Sequence, residues 1–478
     1  MDRDADLRVT DFKEVDLGLS REEAVAEAKR CIQCKKPKCI SGCPVGIDIP
    51  AFIRAIADEK FQDAVDIIKK DNMLPAVCGR VCPQEEQCEK RCILARKGES
   101  VAIGRLERFA ADYFMDAEAS QENPAGTNGK KVAVVGGGPA GLTAAADLAK
   151  LGYEVTVFEA FHELGGVLVY GIPEFRLPKS IVSQEVDELK NLGVNFVPNV
   201  LIGATFTVEE LMDEYGFSGV FIGSGAGLPR FLEIPGENLV GIYSANEFLT
   251  RVNLMKAYQY PFVDTPIHNL RGRIVGVFGG GNTALDSARV AVRLGAKETY
   301  IIYRRGQEEM PGRKEEIDHA IAEGVQFAYL RNPLEFLGDA DGNLTSVNLQ
   351  EMELGEPDAS GRRAPVETDE LVELDADTVV AAVGEKPDGE AFARYGAALD
   401  EKGRARFSYE NGVYAAGDAL RGPATVVEAI ADARRFADEI IKRAREFEMP
   451  AGASRDYGET LLRKNRLCAA LPNHADGF

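Results

Sequence analysis

The sequence lacks the features of a secreted, membrane-spanning or nucleic-acid-binding protein. Its 478 residues contain no uninterrupted apolar run of about 20 residues that could span a bilayer. The first residues carry no apolar segment of the kind that a secretory signal requires. Positive charge is scarce, since 56 Lys and Arg stand against 77 Asp and Glu, a formal net charge of −21. Because nucleic acids and anionic membranes would repel such a chain, we expect a cytoplasmic protein that binds neither.

Cysteine is absent from most of the chain and concentrated in one segment. Eight of the nine cysteines lie between Cys31 and Cys92, and the ninth is Cys468. In a reducing compartment, clustered cysteines are more often metal ligands than disulfide partners. Histidine is also sparse, and the four histidines form no Ser–His–Asp arrangement. The sequence therefore predicts a metal-binding module and no hydrolase-type triad.

The length suggests about three domains, and the patterns predict an α/β fold. Residues 1 to about 115 have helical periodicity and carry the clustered cysteines. A linker rich in Ser, Asn, Pro and Gly follows at Glu118 to Gly129. Two strand–turn–helix–strand units come next, about 143 residues apart. Gly355 to Glu370 has the pattern of a loop or hairpin.

The first unit carries a glycine-rich turn of the dinucleotide-binding type. A strand at Lys131 to Val135 is followed by the turn and by a helix rich in Ala and Leu. Glycine suits such a turn where the chain bends sharply, where a pyrophosphate approaches the backbone, and where the helix packs on the strand. Glu159 follows the second strand, where a carboxylate can bind a ribose diol. The residues assigned to this site are Gly136, Gly138, Pro139, Ala140, Gly141, Glu159 and Gly166. The alternative is a helix entry with no ligand.

The second unit differs at the end of its second strand. In place of an acid it has Tyr303 followed by Arg304 and Arg305. Guanidinium groups bind a 2′-phosphate that a carboxylate would repel, so we expect NADP(H) rather than NAD(H). Arg313 is a candidate third cation. The residues assigned to this site are Gly279, Gly281, Asn282, Thr283, Arg304, Arg305 and Arg313. The alternative is that Arg304 and Arg305 form only surface ion pairs.

A third motif near the C-terminus predicts a flavin. The stretch from Gly412 to Asp418 is a short strand that ends in small residues and an acid. The small residues allow a flavin to approach the backbone closely, and Asp418 can accept a hydrogen bond from a ribityl hydroxyl. The residues assigned to this part of the site are Gly417, Asp418, Thr425 and Val426. No Cys-x-x-Cys lies near the expected flavin or nicotinamide, which argues against a thiol–disulfide reductase.

The cysteine spacing predicts iron–sulfur clusters. Cys31, Cys34, Cys39 and Cys43 are separated by two, four and three residues, and Pro44 follows. This approximates the bacterial ferredoxin pattern, in which the cysteine before proline binds the other cluster. A second set lies at Cys78, Cys82, Cys88 and Cys92. Zinc is the alternative, and it would favour two separate tetrahedral four-cysteine sites.

The chain resembles a family of FAD and iron–sulfur oxidoreductases over nearly its whole length. Its members include the large, bifurcating subunit of NADH-dependent reduced ferredoxin:NADP⁺ oxidoreductase and the small (beta) subunit of NADPH glutamate synthase, and the N-terminal half of dihydropyrimidine dehydrogenase is similar. The stretches that carry the resemblance are Cys78 to Glu85, Tyr170 to Lys179, Ser244 to Leu249 and Gly417-Asp418. The resemblance implies an FAD domain split by an inserted NADP(H) domain.

The resemblance also implies the ligands of two 4Fe–4S clusters. One cluster uses Cys31, Cys34, Cys39 and Cys92. The other uses Cys43, Cys82, Cys88 and, as a non-cysteine ligand, Glu107. Cys78 is then a spare buried thiol and Cys468 is unrelated. The alternative is that Glu107 lies on a helix surface and that Cys78 is the eighth ligand.

The implied domain boundaries follow from the same resemblance. They are a helical domain with two 4Fe–4S clusters at 1–120, FAD-binding segments at 130–248 and 383–448, an NADP(H)-binding domain at 249–382 and a tail at 449–478.

Three functional hypotheses remain open. The preferred one is an NADP(H)-dependent enzyme that moves electrons through FAD and two 4Fe–4S clusters to ferredoxin. A partner flavoprotein subunit with an NAD(H) site, its own FAD and an iron–sulfur cluster completes this flavin-based electron bifurcation. The segment from Lys35 to Lys38 forms a basic spot that could attract an acidic ferredoxin, or could merely be a solvated loop. The second hypothesis is the small subunit of NADPH glutamate synthase, and the third is a non-catalytic assembly module.

Overall fold

The computed structural model describes most of the chain. The described residues are 2–116, 126–259, 262–263, 269–396, 398–399, 405–406, 412–443, 457–458 and 461. Cys468 and most of the predicted tail lie outside the described residues, as does most of the linker.

The N-terminal module is helical, as its periodicity predicts. Its helices are α1 (Ala5–Arg8), α2 (Arg21–Lys29), α3 (Ile49–Ala57), α4 (Phe61–Lys69), α5 (Pro75–Val81) and α6 (Ile103–Asp116), with 3₁₀ turns at Ile40–Gly42 and Ile93–Arg96. Ser20 and Glu23 form a capping box that starts α2. The apolar face of α3, with Phe52 and Ile56 fully buried, packs against α4 and α6.

The first dinucleotide unit forms a parallel sheet. Its elements are β1 (Lys131–Val135), α7 (Pro139–Lys150), β2 (Glu154–Phe158), α8 (Val167–Tyr170), α9 (Lys179–Asn191), β3 (Asn195–Val197), α10 (Val208–Asp213) and β4 (Phe217–Ile222). The order is β4-β1-β2-β3, with every neighbour parallel. β1 and β2 are buried along almost their whole length, as expected for strands covered on both faces.

The second unit forms a separate parallel sheet. Its elements are β5 (Leu228–Pro229), β6 (Ile242–Ser244), α11 (Ala245–Asn253), β7 (Ile274–Phe278), α12 (Asn282–Arg293), β8 (Glu298–Tyr303), α13 (Lys314–Ala322), β9 (Gln326–Tyr329), β10 (Arg331–Gly338), β11 (Leu344–Pro357), β12 (Arg363–Asp375) and β13 (Thr378–Ala381), with 3₁₀ turns at Ala257–Gln259 and Gln307–Glu309. The parallel sheet has the order β6-β13-β7-β8-β9. Its edge strand β6 precedes the predicted boundary at 248/249, and the boundaries themselves stay predictions. β10, β11 and β12 form an antiparallel sheet, so the segment from Gly355 to Glu370 is a hairpin.

The chain then returns to the first sheet. The last elements are β14 (Glu385–Lys386), α14 (Gly389–Arg394), β15 (Ala398–Leu399), β16 (Ala405–Arg406), β17 (Val413–Ala415), α15 (Asp418–Arg421) and α16 (Val426–Arg443). β17 pairs with β4 in parallel, and α16 packs on α7. β14 pairs with β5 where the chain crosses between the two sheets. One nucleotide domain is therefore inserted into the other.

A buried ion-pair network ties the two sheets together. Arg176, which follows α8, donates to Asp286 of α12 at 2.6 Å and lies 3.2 Å from Glu316 of α13. Arg289 pairs with Glu316 and lies over the ring of Phe175 at 4.6 Å. Because the charged side chains of this network are all less than 10% exposed, loss of one partner would leave an uncompensated charge. The network therefore fixes how the second unit sits on the first.

Candidate functional site

The glycine-rich turn of the first unit joins β1 to α7. Gly136 has a φ of +100°, and a Cβ there would lie 2.6 Å from the carbonyl oxygen of Gly223. A Cβ on Gly141 would lie 1.9 Å from the carbonyl oxygen of Gly136, so α7 approaches β1 only because both positions are glycine. Gly138, the N-cap of α7, differs from them, because the nearest protein atom to its Cβ would be 3.8 Å away. The space before α7 is therefore open to a ligand.

Gly166 and Glu159 lie beside this turn. A Cβ on Gly166 would come within 2.8 Å of the Cα of Gly138, so the two glycines face each other. Glu159 directly follows β2 and is buried, which raises the pKa of its carboxyl. Its two oxygens accept backbone N–H groups of Gly137 at 2.7 Å and Phe161 at 2.9 Å. Carboxylate oxygens accept more than one hydrogen bond, so Glu159 can still accept from a ribose diol.

The C-terminal motif lies against the same helix. Gly417 has a φ of +67°, and a Cβ there would lie 3.0 Å from the Cβ of Ala140 in α7. Asp418 is mostly buried, which raises the pKa of its carboxyl to about 7. Its Oδ1 is buried without a hydrogen-bond partner among the described residues. Thr425 and Glu428 exchange capping hydrogen bonds at the start of α16, whose first residue is Val426.

These features fit FAD. A buried, unpartnered acceptor such as Oδ1 of Asp418 costs free energy unless a ligand hydroxyl donates to it. The open position at Gly138 lies at the N-terminus of α7, where backbone N–H groups are free to bind a pyrophosphate. Glu159 and Asp418 would therefore hold the ribose and the ribityl chain, and the turn would hold the phosphates.

The second glycine-rich turn opens onto a cleft of about 680 Å³. Gly279 has a φ of +139°, and a Cβ there would lie 2.4 Å from the carbonyl oxygen of Ala382. A Cβ on Gly281, the N-cap of α12, would meet nothing within 4 Å. Thr283 lines the cleft, and the side chain of Asn282 accepts the backbone N–H of Arg313 at 2.8 Å. Gly279 is thus crowded as Gly136 is, and Gly281 is an open N-cap position as Gly138 is.

Arg304 and Arg305 line this cleft at the end of β8. Arg304 is exposed. Arg305 is 6% exposed and donates through Nη2 to Asp358 at 2.5 Å. Nη1 of Arg305 is buried and has no partner among the described residues. A free guanidinium donor in a cleft that already carries a second arginine fits a phosphate ligand.

Arg313 does not join these arginines, and its predicted role is corrected. Its guanidinium points to the N-terminal module, where it donates to Glu85 at 3.0 Å and to Gln84 at 3.1 Å. A third acceptor, Glu315, lies 3.1 Å away. The side chain is buried against these partners and does not line the cleft. Arg313 therefore joins the second sheet to the cysteine-bearing module.

Three further arginines line the cleft, namely Arg230, Arg331 and Arg362. Arg331 pairs with Glu351 at 2.9 Å and Arg230 donates to the carbonyl oxygen of Glu385, whereas Arg362 joins Arg304 and Arg305 around Tyr303. Arg362 lies between β11 and β12, in the turn of the hairpin. The sequence showed only a loop or hairpin there, and no periodic pattern connects position 362 to β8, so the prediction missed it.

The inner end of the cleft meets the first sheet's domain. Pro423, which lies between Asp418 and α16, lines the same cleft as the arginines. Beside it, Asn246 donates to Glu385 at 3.2 Å, and burial raises the pKa of the Glu385 carboxyl. Glu385 also acts electrostatically on Asp418. The nucleotide cleft and the residues that fit FAD are therefore continuous. Asn246 lies within the stretch from Ser244 to Leu249, which carried the resemblance.

The eight described cysteines are all free thiols. They form two groups, defined by which cysteines interact with one another. In the first group, burial raises the pKa of Cys31 and raises that of Cys39 to about 11. Neighbouring thiols add to both rises. Those neighbours are Cys34 and Cys92 for Cys31, and Cys31 and Cys92 for Cys39. This group has the same members as the first predicted ligand set.

The second group surrounds Glu107. Burial raises the pKa of Cys43 to about 11, and Glu107 adds to the rise. Burial also raises the pKa of Cys88, with Glu107 and Cys43 among the neighbours that contribute. Cys82 forms a hydrogen bond with Cys78, and Glu107 and Cys88 are among its electrostatic neighbours.

Glu107 is not a surface carboxylate. It is 7% exposed on α6, and burial raises its pKa to about 7. Asn72 donates to its Oε1 at 2.9 Å, and the Oδ1 atom of Asn72 accepts the thiol of Cys78 at 3.8 Å. The alternative that placed Glu107 on a helix surface is therefore wrong. Both Glu107 and Cys78 interact with Cys82, so the identity of the eighth ligand stays a prediction.

The cysteine-bearing module packs directly on the first sheet's domain. α5, which carries Cys78, contacts α9 and α16. Oε1 of Glu185 in α9 accepts the backbone N–H of Ala76 at 2.7 Å, and burial raises the pKa of this carboxyl to about 8. A carboxylate at the N-terminus of a helix is favoured by the free N–H groups there. No sequence pattern connected Glu185 to α5, because the two are more than 100 residues apart.

Two absences concern the described residues only. No three His, Cys, Asp or Glu side chains in this part of the chain converge around a point where a single metal ion could bind. Likewise, none of the described helices combines the length and the apolar character needed to cross a membrane.

Two family models match the chain. The model described as dihydropyrimidine dehydrogenase domain II, 4Fe-4S cluster, matches residues 8–119. The model described as pyridine nucleotide-disulphide oxidoreductase matches residues 130–433, which is more than half of the chain. The glutamate synthase [NADPH] small chain of Azospirillum brasilense is 36% identical over 92% of this chain and 92% of its own length. The chain belongs to the glutamate synthase small-subunit-like family of FAD and iron–sulfur oxidoreductases.

The chain is also similar to a subunit of a different enzyme and to a solved structure. The beta subunit of an NADP⁺-dependent formate dehydrogenase from Moorella thermoacetica is 36% identical over 85% of this chain and 60% of its own length. The fold also matches FprA from Mycobacterium tuberculosis in complex with NADPH, with a TM-score of 0.54 and 24% identity over 71% of this chain and 90% of that one.

Membership in this family confirms the predicted fold class and the cofactors. The chain is an NADPH-dependent oxidoreductase with FAD- and NADP-binding domains and a 4Fe–4S domain. The number of clusters, the roles of individual residues and the identity of the partner stay predictions.

Proposed function

We propose that this chain transfers electrons between NADP(H) and a partner protein through FAD and two 4Fe–4S clusters. The observation that carries the proposal is the continuity of the cleft, which runs from Arg304 and Arg305 to Pro423 beside the flavin motif. When bound, FAD exchanges a hydride with NADP(H) and exchanges single electrons with iron–sulfur clusters. In this proposal the turn at Gly281 and the arginines orient the nucleotide, and Glu159 and Asp418 hold the flavin.

The proposal assigns ligands to both clusters. Cys31, Cys34, Cys39 and Cys92 bind the first cluster, and their mutual electrostatic influence supports the assignment. The second cluster takes Cys43, Cys82, Cys88 and Glu107, which the burial of Glu107 among these thiols supports. A carboxylate ligand would change the charge and potential of that cluster relative to an all-thiolate one. Free thiols are also stable in the reducing cytoplasm, where we place the protein.

For the partner, we favour ferredoxin together with an NAD(H)-binding flavoprotein subunit. The segment from Lys35 to Lys38 connects two ligands of the first cluster, and its three lysines are exposed. None of the three has an ion-pair partner among the described residues, although the whole chain has a net charge of −21. An uncompensated basic loop next to a half-buried cluster would steer an acidic electron carrier to that site. The two electrons of a hydride then divide between ferredoxin and the partner subunit, as in electron bifurcation.

The second candidate is the small subunit of an NADPH glutamate synthase. The observation that favours it is the 36% identity to the Azospirillum brasilense small chain over 92% of both chains. In that case the clusters deliver NADPH electrons to a large, glutamine-processing subunit. The formate dehydrogenase beta subunit is equally identical, at 36%, so identity alone does not choose the partner.

Native mass spectrometry of the complex from its own cells, with flavin and iron quantitation, tests both candidates. A second flavoprotein of moderate size supports the ferredoxin enzyme, and we expect that complex to reduce ferredoxin with NADPH only when NAD⁺ is present. A much larger amidotransferase subunit would refute it in favour of glutamate synthase. Exchanging Lys35 and Lys36 for Glu should raise the KM for ferredoxin about tenfold at low salt, while K131E, on an exposed position of β1, should not change it. Equal KM values in both variants would contradict docking at the loop.

A further inference from the structure

The turn of the β11–β12 hairpin is tied to the end of β8. This turn, residues 358–362, is here called the hairpin tip. Oδ1 of Asp358 accepts the backbone N–H of Ser360 at 2.8 Å, which orders the tip itself. Oδ2 of Asp358 accepts Nη2 of Arg305 at 2.5 Å. One carboxylate therefore shapes the tip and holds it against the nucleotide cleft.

Three guanidinium groups meet at the same place. Burial raises the pKa of the Tyr303 hydroxyl, and three nearby positive charges oppose that rise. The charges belong to Arg304, Arg305 and Arg362, and all three side chains line the cleft. Nη1 of Arg362 lies 3.5 Å from the carbonyl oxygen of Glu309, which also accepts the Tyr303 hydroxyl at 2.8 Å. The hairpin tip thus brings Arg362 to the end of β8.

Arg363, the next residue in the chain, does not share the position of Arg362 at the cleft. Arg363 pairs instead with the carboxylates of Glu309 at 2.5 Å and Glu308 at 3.2 Å. It does not line the cleft. Arg362 has no carboxylate partner among the described residues, since its contacts are the Glu309 carbonyl and the Ser360 hydroxyl. Its charge therefore remains available to a ligand.

We infer that the hairpin tip determines specificity for the 2′-phosphate of NADP(H), with Arg362 as a direct ligand and Asp358 as a positioning residue for Arg305. At the end of β8, the guanidiniums of Arg304, Arg305 and Arg362 and the carboxylate of Asp358 leave a net charge of +2, since the Glu309 carboxylate there is paired with Arg363. A phosphate monoester carries about −1.5 to −2 at neutral pH, so the charges balance. NAD(H) has a neutral hydroxyl at this position, which carries no negative charge to balance the three guanidiniums. The inference rests on the use of this cleft by NADP(H).

The test measures ligand binding to the purified holoprotein rather than turnover. Adenosine 2′,5′-bisphosphate is the probe for the 2′-phosphate, and 5′-AMP is the control ligand. Calorimetry should show that R362A binds the bisphosphate about tenfold more weakly than the unaltered protein, which is about 1.4 kcal/mol, with the affinity for AMP unchanged. R363A, the matched control, should bind both ligands normally, and R362K should recover part of the loss because it keeps the charge.

The outcomes separate this inference from the assignment of the cleft. If R362A binds the bisphosphate normally, or loses the bisphosphate and AMP equally, Arg362 is not a 2′-phosphate ligand and the inference is overturned. If the unaltered protein itself does not prefer the bisphosphate over AMP, the assignment of NADP(H) to this cleft fails instead. Unchanged flavin content and thermal midpoint in R362A show that the variant is folded.

Discussion

We expect G141A to lower the stability of the flavin-free protein, whereas G138A should weaken FAD binding and leave that stability unchanged. A Cβ on Gly141 would lie 1.9 Å from the carbonyl oxygen of Gly136, about 1.1 Å inside the 3.0 Å limit of real Cβ contacts. The obstacle is backbone, so the whole of α7 must move away from β1. Overpacking of this kind costs about 1–3 kcal/mol. G141A should therefore lower the free energy of unfolding of the flavin-free protein by about that amount, and it should also lower the affinity for FAD.

Gly138 has the opposite character. The nearest protein atom to its Cβ would be 3.8 Å away, and its φ of −81° is open to any residue. The flavin-free G138A protein should be as stable as the unaltered one, or slightly more stable because alanine restricts the unfolded chain. The added methyl group would occupy the space that the pyrophosphate needs, so we expect FAD to bind at least tenfold more weakly, a loss of about 1.4 kcal/mol or more.

Gly281 provides the matched control, because it has the equivalent position in the second unit and its Cβ would meet nothing within 4 Å. G281A should keep its FAD and lose affinity for NADP(H). The assays are urea unfolding of flavin-stripped protein, fluorescence titration with FAD, and titration of the holoprotein with NADP⁺. These roles of the three glycines are refuted if G138A binds FAD normally, if flavin-free G141A is as stable as the unaltered protein, or if G281A loses FAD.

Two further predictions concern the buried carboxylates. E107A should lose one cluster, so that iron per chain falls by about half, while C78S keeps its iron; iron loss in C78S alone would make Cys78 the eighth ligand. Burial raises the pKa of Asp418 to about 7, and the ionised carboxylate accepts a hydroxyl hydrogen bond more strongly than the protonated group, so FAD should bind up to about tenfold more weakly at pH 6 than at pH 8. D418N should abolish this dependence, and a pH-independent affinity in the unaltered protein would contradict the assigned role. In flavin-free protein the raised pKa favours the folded state while Asp418 is protonated, so this contribution to stability declines as pH rises from about 4 to about 7.

The parts of the fold that the sequence predicts are those with a local physical cause. The glycine-rich turns follow from close backbone contacts at Gly136 and Gly279, which no other residue tolerates, and such constraints are visible in a few consecutive letters. The helix start at Ser20 has the same local character. The return of β17 to the first sheet has no local cause and was predicted only through a family resemblance.

The errors and omissions concern side chains whose partners are distant in sequence. Arg313 lies only eight residues after Arg305, which suggests a shared ligand. Its guanidinium donates instead to Glu85, more than 200 residues earlier in the chain. Arg362 was missed because the β11–β12 hairpin brings it to the cleft from more than 50 residues beyond β8. Glu185 was missed because its partner is the backbone N–H of Ala76 in α5. The sequence does not distinguish a glutamate that accepts such a bond from an ordinary glutamate on a helix. Pairing over such distances depends on how the domains pack, which a single sequence does not encode in any short pattern.

In the proposed function, one chain carries FAD and two clusters, and NADPH reduces all three. The most direct measurement is an anaerobic titration of the purified, quantified protein with NADPH, followed by optical and paramagnetic resonance spectroscopy. We expect one FAD and about eight iron atoms per chain, and reduced-cluster signals from two different centres. NADPH should bleach the flavin at concentrations at which NADH has no effect. Four iron atoms with a single cluster signal, or equal reduction by NADH, would contradict the proposed function.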